Sequence, residues 1–292
     1  MKGIRTIDCM VGLNPGGQAG GGMIGDMVRE GWLRDADSAQ YYHPAQHLFK
    51  DAPARMEHGQ SVEEVLALMD EVGVEMGLLG LNINNPQPTL DVIEKYPQRF
   101  FGEVGVNPFL GMPEIRKLER LVRDHPGVKA CSVTGFRIQK PYNDKIYWPL
   151  YAKCCELDIP VICYVGLPGP RVPGEIQNPM YLDEVLWFFP ELKIVMRHGG
   201  EPWEFTCVKL MLKWPNLYYS TSAFAPSHIP QDIVDYMNKR GPDRVIYAGY
   251  YPGLDFRRLK REIEEMPLRE HVWPLFLREN AMRVFKLAQA VR

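Results

Sequence analysis

Eight short apolar runs alternate with amphipathic segments along the chain, and this alternation narrows the possible folds more than any other feature. The runs are rich in β-branched and aromatic residues, as buried strands are. The predicted strands are 4–11, 74–80, 99–106, 128–138, 160–166, 193–198, 216–222 and 244–249. Strands that alternate with helices form parallel βαβ units, and eight such units close into a barrel. The sequence therefore predicts a (β/α)8 barrel.

The segments between the predicted strands repeat apolar residues at helical spacing. They are SVEEVLALMDEV, TLDVIEKY, MPEIRKLERLVRDH, YWPLYAKCCELD, YLDEVLWFF and FTCVKLMLKW. With 292 residues and 46% hydrophobic content, the chain can bury a core of the size that one barrel needs. We therefore expect a single α/β domain, a TIM barrel that spans residues 1–292.

The charge and the apolar content of the chain exclude two classes of partner. A formal net charge of -2, without a cluster of Lys or Arg, gives no general attraction to nucleic acid or to an anionic membrane surface. The N-terminal MKGIRTID lacks the apolar core of a signal peptide, and no apolar run is long enough to span a membrane. We therefore expect a soluble, cytoplasmic protein.

The six cysteines form no C-x-x-C pair. Cys154 and Cys155 are neighbours in a predicted helix, where a disulfide between them fits poorly. Cys163 falls on the outer face of strand 5, so a nucleophilic pair with His198 is not expected. We expect reduced, mostly buried thiols.

The segment 12–60 interrupts the alternation, because a long irregular stretch follows strand 1 before the next clear helix. In a barrel this segment leaves from the C-terminal face, which carries the active site, so we predict a lid. Its glycines favour a hinge over a phosphate loop, because the G-x-x-x-x-G-K-[ST] and G-x-G-x-x-G patterns are missing. These glycines are Gly16, Gly17, Gly20, Gly21 and Gly22. His43 and His47 lie four apart without a third metal ligand, which favours lid packing, and His47 is kept as a candidate substrate contact.

Side chains alternate between the two faces of a strand, which predicts the residues that line the barrel. Asp8 is predicted to point inward with Met10 and Gly12, while Cys9 points to the helices. On the other strands the predicted inward positions are Gly135, Arg137, Gln139, Tyr164, His198, Ser220, Ser222 and Tyr250. These positions lie mainly at the C-terminal strand ends, where barrel enzymes carry their chemistry.

Five stretches of the chain resemble the amidohydrolase superfamily, in particular the amidohydrolase-related branch that includes aminocarboxymuconate semialdehyde decarboxylase. They are GFRIQKPYNDKIYWPLYAKCCELDIPVICYVG, KIVMRHGGEPW, PNLYYSTSA, RVIYAGYYP and RENAMRVFKL. Their order and spacing match the family from strand 4 to the closing helix. The resemblance covers nearly the whole chain and implies the same barrel.

The resemblance implies that the metal site of the family has been lost. In that family a divalent metal, usually zinc, is held by a His-x-His on strand 1, a His ending strand 5 and an Asp ending strand 8. The matching positions here are Met10, Gly12, Tyr164 and Tyr250. Because a thioether, a hydrogen atom and two phenols are poor zinc ligands, we expect no metal and no other cofactor. One lactonase of the superfamily, which acts on pyrone dicarboxylate, works without a metal, so catalysis remains the expectation.

The candidate catalytic residues are His198, Glu201, Tyr164 and Tyr250. His198 matches the strand 6 histidine of the family and can act as general acid or base, and Glu201 can orient it or activate water. The two tyrosines can donate hydrogen bonds to a developing oxyanion. Arg137 can bind a substrate carboxylate with both arms of its guanidinium, and the Gly199–Gly200 pair can let a ligand approach. The remaining candidate substrate contacts are Asp8, Asn107, Ser222, Asp255 and His47.

Structural roles compete with these assignments. Arg137 can form an internal ion pair with Asp8 or Glu103 instead of binding substrate. The two tyrosines can simply fill the volume of the lost metal site. Glu201 can cap the following helix, because a carboxylate is favourable near a helix N-terminus.

These residues predict a metal-independent hydrolase or decarboxylase that acts on a small cyclic, aromatic or keto carboxylic acid. The alternative is a non-catalytic barrel that binds a metabolite or a protein partner. A closed polar cavity around His198 favours the enzyme, and an apolar plug in the mouth favours the alternative. We also expect a homo-oligomer, a dimer.

Overall fold

The computed structural model describes residues 3–13, 21–41, 45–49 and 61–288. Its strands are β1 (Thr6–Asp8), β2 (Val74–Asn82), β3 (Phe100–Gly105), β4 (Val128–Val133), β5 (Val161–Tyr164), β6 (Ile194–Arg197), β7 (Leu217–Ser220) and β8 (Val245–Ile246). They form one sheet in the order β1 to β8, and every neighbouring pair is parallel. The predicted barrel fold is confirmed.

The barrel closes between β8 and β1 through backbone contacts beyond the regular strands. The Cys9 amide donates to the carbonyl oxygen of Tyr247 at 3.1 Å, and Gly12 donates to Tyr251 at 2.7 Å. Val11 and Tyr251 form a parallel bridge. This seam brings the start of the chain against the segment that follows β8.

The helices surround the barrel. They are α1 (Gly21–Arg29), α2 (Val62–Val72), α3 (Gln87–Lys95), α4 (Gly111–Asp124), α5 (Gly135–Ile138), α6 (Trp148–Leu157), α7 (Tyr181–Phe188), α8 (Glu204–Lys213), α9 (Gln231–Lys239), α10 (Phe256–Glu264), α11 (Val272–Pro274) and α12 (Asn280–Val284). The six predicted helical segments correspond to α2, α3, α4, α6, α7 and α8. The helices that were not predicted include α9 and α10, which follow β7 and β8. No helix among the described residues has the length and apolar character needed to cross a membrane.

Local sequence explains where the helices begin. Ser61 and Glu64 form a reciprocal capping box at the start of α2, and Gly73 ends this helix in a left-handed conformation. Asp255 caps α10 by accepting a hydrogen bond from the Arg258 amide at 3.0 Å. At the end of the chain, α12 places Val284 and Phe285 under the barrel interior, so the N-terminal end of the barrel is closed.

The barrel interior is an apolar cluster to which the strands contribute alternate residues. Its members on the strands or within two residues of their ends are Ile7, Cys9, Leu78, Phe101, Ala130, Ile162, Val195, Tyr218, Ile246 and Ala248. A second, larger cluster fills the layer between strands and helices and contains Cys163, as predicted. All six cysteines are free thiols, five of them buried, which confirms the sequence-based expectation.

The orientation predicted for Asp8 and Cys9 is wrong, whereas Met10 packs against the interior cluster as predicted. Ile7 and Cys9 lie in the interior cluster, so Asp8 between them faces the helix layer. The chain bends at Cys9, and the Asp8 carboxylate accepts hydrogen bonds from the amides of Met10 at 3.0 Å and Gly249 at 2.8 Å. Beyond this bend the two-residue alternation no longer holds, because it requires an extended chain. Asp8 is therefore removed from the candidate substrate contacts.

Strand 4 is shorter than predicted. β4 ends at Val133, and residues 135–138 form α5, so Arg137 and Gln139 do not continue the inward side of a strand. The buried Gln177 replaces the missing strand partner: its Oε1 accepts from the Phe136 amide at 2.9 Å, and its Nε2 donates to the Gly166 carbonyl at 2.8 Å. A side chain from a distant 3₁₀ turn thus binds the backbone beyond the strand end, a contact that a local pattern cannot reveal.

The described part of segment 12–60 contains a helix that was not predicted. Gly21 and Gly22 begin α1, and two 3₁₀ turns follow at Ser38–Gln40 and Gln46–Leu48. The predicted hinge glycines Gly16, Gly17 and Gly20 lie outside the described residues, as does His43. We call the described residues 21–41 and 45–49 the cover segment.

Candidate active site

His198 follows β6 directly at the C-terminal mouth of the barrel and is the centre of the candidate site. Its backbone adopts a left-handed conformation with φ of 72°, which ends the strand. The imidazole meets the rings of Tyr164 and Tyr250 edge to face, with centroid distances of 4.4 and 5.4 Å. Ser222 Oγ lies 3.1 Å from His198 Nδ1. The structure thus brings together four predicted site residues from four different strand ends.

The environment of this cluster sets its proton chemistry. Burial raises the pKa of Tyr164 and of Tyr250 above the ordinary value of a phenol. Both hydroxyl groups therefore stay protonated at neutral pH and can donate hydrogen bonds. Ser222 is fully buried, and its contact with Nδ1 restrains the imidazole ring. Imidazole is the group in this cluster whose chemistry suits proton transfer near neutral pH.

A buried ion pair lies beside the cluster. Arg197 Nη1 and Nη2 donate to the two carboxylate oxygens of Glu103 at 2.6 and 2.7 Å, and Nη2 also approaches the Cys9 carbonyl oxygen at 3.3 Å. Arg197 is 1% exposed and Glu103 7% exposed. The guanidinium carbon lies 5.8 Å from the ring centroid of Tyr164. The pair therefore crosses the barrel from β6 to β3 next to the candidate site.

Arg197 was not predicted as an interior residue, because alternation counted from His198 assigns Arg197 to the outer face of strand 6. Arg197 ends β6 as an inward residue after Val195, and the left-handed backbone at His198 turns that residue to the mouth as well. Two consecutive residues therefore reach the same side of the barrel. The available signal was Val195 itself, because its two-residue spacing places Arg197, and not His198, on the interior face.

The residues at the four family metal positions do not fit a metal. Met10, Tyr164 and Tyr250 supply a thioether and two protonated phenols, which are poor ligands. The fourth position, Gly12, has no room for a histidine: a Cβ atom there would lie 2.8 Å from Pro252 Cδ and 2.9 Å from the Tyr251 carbonyl oxygen. Among the described residues, no group of three His, Cys, Asp or Glu side chains is arranged to hold a metal ion.

Arg137 pairs with the cover segment. Its Nη2 lies 2.7 Å from Glu30 Oε1 and 3.8 Å from Asp26 Oδ2, both on or next to α1. The side chain is 28% exposed. The ion pair with Asp8 or Glu103, which the sequence analysis raised as an alternative, is wrong, because Asp8 faces the helices and Glu103 binds Arg197.

Four other candidates have contacts outside the His198 cluster. Asp255 caps α10, and Asn107 accepts from the Phe109 amide at 3.0 Å to cap a 3₁₀ turn. Glu201 is exposed and accepts a hydrogen bond from Leu167 through its carbonyl oxygen. Trp203 is the N-cap of α8 and its side chain makes no capping hydrogen bond, so the favourable charge of Glu201 near this helix start stays an alternative. His47 is exposed, and its ring centroid lies 5.9 Å from that of Tyr41 with the two rings tilted.

The space beside Gly199 and Gly200, where side chains would begin, is filled by other residues of the protein and leaves no room there for a ligand. A Cβ on Gly199 would lie 2.0 Å from the Phe224 ring, and one on Gly200 would lie 2.7 Å from Cys207 Sγ. Both residues have positive φ, at 83° and 79°. Glycine is needed here for the backbone turn and for close packing, so the predicted ligand approach at this pair is wrong.

The cover segment packs across the mouth. Ile24, Met27 and Leu33 form a buried apolar cluster with Phe136, and Tyr164 packs against it. Phe49 lies 5.3 Å from Tyr250, ring centroid to ring centroid. An ion pair of 2.7 Å between Arg171 and Asp35 provides a second attachment. The described contacts thus place apolar residues over the two tyrosines, and movement of this segment as a lid remains a prediction.

Comparison with known proteins identifies one matching family. The sequence profile described as Amidohydrolase matches residues 39–287. No curated protein matches the chain significantly.

Several solved structures share the fold at low identity. The 5-carboxyvanillate decarboxylase of Novosphingobium aromaticivorans, complexed with manganese and 4-hydroxy-3-methoxy-5-nitrobenzoic acid, is 19% identical, with a TM-score of 0.73 over 98% of this chain and 97% of that chain. The 2,6-dihydroxybenzoate decarboxylase from Rhizobium is 18% identical, with a TM-score of 0.66 over 97% and 99%. A protein described as a probable 2-pyrone-4,6-dicarboxylic acid hydrolase from Acinetobacter baumannii, with citric acid bound, is 16% identical, with a TM-score of 0.67 over 97% and 100%. At these identities the likeness shows a common fold.

Proposed function

The chain belongs to the amidohydrolase family, and on that premise we propose that it is an enzyme that cleaves or decarboxylates a small cyclic, aromatic or keto carboxylic acid. The observation that carries the proposal is the cluster of His198 with Tyr164, Ser222 and Tyr250 at the C-terminal mouth. The structural neighbours named above are two decarboxylases of aromatic acids and a dicarboxylic acid hydrolase. Their names support the substrate class and leave two reaction types, hydrolysis and decarboxylation.

In this proposal His198 transfers the proton and the tyrosines bind the developing oxyanion. An imidazole at the end of a barrel strand can act as general acid or base toward a ligand in the mouth. Tyr164 and Tyr250 are neutral donors on either side of it, and donors fixed before the reaction stabilise negative charge at little cost. Ser222 holds the imidazole ring through Nδ1. Glu201, as an exposed residue, is a weaker candidate than these four.

We propose that this chemistry is independent of metal. The support is the donor set at the family positions and the steric closure at Gly12, where a ligand side chain cannot be built. Manganese is named in the Novosphingobium decarboxylase complex, and that property belongs to that protein. Elemental analysis of the purified protein is expected to find far less than one zinc, manganese or iron per chain. Stoichiometric metal that a chelator removes together with activity would overturn this part of the proposal.

Arg137 is proposed as the anchor of the substrate carboxylate. Its guanidinium already binds a carboxylate, that of Glu30, so an entering acid must exchange with this internal partner. The exchange is feasible because the pair is partly exposed and such pairs are worth only about 0–1 kcal/mol. Binding of substrate and release of α1 would then be coupled.

The test begins with a thermal-stability screen of aromatic, cyclic and keto acids. A true ligand at 100 times its dissociation constant adds about 2.7 kcal/mol to the free energy of unfolding. Acids that stabilise the protein are then incubated with it, and the release of CO2 or of hydrolysis product is measured with and without EDTA. Stabilisation and turnover by one class of acid support the proposal. If no acid of this class stabilises the protein or is turned over, the proposal is wrong.

A second candidate is a non-catalytic barrel that binds a metabolite or a protein partner. The observation that favours it is the apolar packing of Ile24, Met27 and Leu33 over Tyr164, because an apolar plug suits binding more than proton transfer. An acid that stabilises the protein and is never converted, with His198→Asn binding it equally well, would favour this candidate.

We also propose a homodimer in the cytoplasm. The mass of 33.5 kDa per chain makes a dimer easy to distinguish from a monomer by light scattering. The membrane finding and the charge balance described above are compatible with this proposal.

A further inference from the structure

Tyr164 and Arg197 are neighbours on adjacent strands. They are directly paired in the parallel register of β5 and β6, and the guanidinium carbon lies 5.8 Å from the centroid of the Tyr164 ring. The rest of the Arg197 side chain is immobilised by Glu103 and by the Cys9 carbonyl oxygen. Any group next to this guanidinium therefore experiences a cation in a fixed position.

Packing alone does not explain the Arg197–Glu103 pair. A buried ion pair can often be replaced by apolar residues of similar volume at no loss of stability, because removing two charges from water is costly. Here the pair lies beside the candidate site, and Arg197 Nε is buried without a hydrogen-bond partner in the described part of the chain. Because Arg197 Nε can still donate a hydrogen bond beside the candidate site, its position indicates a role toward the neighbouring residue, Tyr164.

Arg197 is also unsuited to bind the substrate itself. Both Nη atoms already donate to Glu103, and the whole side chain is buried. A carboxylate ligand would have to displace a bidentate internal partner in the barrel interior. The contact that remains is the one with Tyr164, whose own ring reaches His198.

We infer that Arg197 is a positioning residue that orients and polarises the Tyr164 hydroxyl as a hydrogen-bond donor at the mouth of the barrel. A fixed cation beside a phenol stabilises the partial negative charge that the phenol oxygen gains when it donates to an oxyanion. Because Glu103 neutralises the guanidinium at longer range, the effect is local to Tyr164. That a substrate accepts a hydrogen bond from Tyr164 rests on the proposed function. The polarisation of the Tyr164 hydroxyl by Arg197 does not depend on that function.

The charges around Tyr164 set the sign of the expected effects. Burial raises the pKa of Tyr164, the Arg197 charge opposes this rise, and the Glu103 charge adds to it. The other ionisable groups that face Tyr164 are His198, which contacts its ring, and Tyr250 and Tyr142, whose own pKa values it raises. Removal of Glu103 alone should lower the pKa of Tyr164, and removal of Arg197 together with Glu103 should raise it.

The experiment measures the ionisation of Tyr164 without any ligand. A fluorinated tyrosine is introduced at position 164 by stop-codon suppression, and its pKa is followed by 19F NMR in the unaltered protein, in Glu103→Gln and in Arg197→Met with Glu103→Gln. We expect the pKa of the probe to fall in Glu103→Gln and to rise by about one pH unit in the double variant. Arg197→Lys, which keeps the charge, should stay close to the unaltered protein. A second probe at Tyr236, whose charged neighbours are Arg244 and Asp243, should not shift in any variant.

The double variant keeps the inference testable even if a single variant fails to fold, because it leaves no unpaired buried charge. Unchanged ionisation of Tyr164 in the folded double variant would refute the inference, as would an equal shift at Tyr236. A binding titration with 4-hydroxy-3-methoxy-5-nitrobenzoic acid, whose phenolate absorbs visible light, follows. If this probe binds, the double variant should bind its phenolate form less strongly, relative to the neutral phenol, than the unaltered protein does. An equal ratio of the two affinities in both proteins contradicts the role of Arg197 toward an oxyanion. Failure of all tested acids to bind counts against the proposed function and leaves the ionisation result as it stands.

Discussion

The two charges of the Arg197–Glu103 pair should be strongly coupled in their effect on stability, because either charge is costly to bury without the other. Two hydrogen bonds of 2.6 and 2.7 Å join fully opposed charges, and the residues are 1% and 7% exposed. Removal of one partner leaves the other charge buried, which costs about 3–5 kcal/mol. We therefore expect Glu103→Leu and Arg197→Met each to lower the free energy of unfolding by about that amount.

The loss of unfolding free energy in the double variant should be much smaller than the sum of the losses in the two single variants. With both charges removed, two apolar side chains fill the interior beside the existing apolar cluster, and such replacements are often neutral or stabilising. We expect Arg197→Met with Glu103→Leu to unfold within about 1 kcal/mol of the unaltered protein, so the coupling energy of the cycle is several kcal/mol.

Urea denaturation followed by circular dichroism and by tryptophan fluorescence measures these values, and agreement of the two signals checks for two-state unfolding. The control is Lys239→Met with Asp235→Leu, which removes an exposed pair with a 2.6 Å contact on α9. Each change in that control should cost less than about 1 kcal/mol. Single losses at Arg197 and Glu103 as small as those of the exposed pair, or a double variant as unstable as the sum, would show that the pair is not buried and coupled as described.

Three further predictions concern the site and its cover. His198→Asn should lower kcat by about 10² to 10⁴ and leave the fold intact, because the imidazole carries the proposed proton transfer; near-normal turnover of the true substrate would refute this role. Glu30→Gln should tighten binding of a carboxylic acid roughly two- to fivefold, because it frees Arg137 from an internal competitor, whereas Asp35→Asn, which loosens the cover at Arg171, should not; equal effects in isothermal titration would contradict the exchange. Burial raises the pKa of Asp8 from 3.8 to about 7, so the folded protein holds this proton more tightly than the unfolded chain and stability should fall as pH rises from about 4 to 7. Asp8→Asn should remove up to about 4 kcal/mol of that decline in urea denaturation at a series of pH values, and an unchanged slope would show that Asp8 is already charged at pH 4.

The sequence by itself determined the architecture. Eight buried strands and their crossover helices are each a local pattern of apolar residues, and the closure into a barrel follows from their number and alternation. Tyr164, His198, Ser222 and Tyr250 could be assigned to one site because they end neighbouring strands of a barrel, and the ends of parallel strands converge.

Only the tertiary structure decided which other side chains join that site. Two backbone features break the expected alternation. The bend at Cys9 turns Asp8 to the helices, and the left-handed backbone of His198 turns this residue to the mouth beside the inward Arg197. The backbone beyond β4 is held at Phe136 by Gln177, which lies 41 residues further along the chain.

The ion pairs were equally hidden from local patterns. Arg197 meets Glu103 across 94 residues of sequence, and Arg137 meets Glu30 across 107. An apolar residue reveals its environment through the spacing of its neighbours, because burial repeats along a helix or strand. A charged residue reveals nothing of the kind, since its partner is selected by the three-dimensional fold, and the sequence offers several equally charged alternatives.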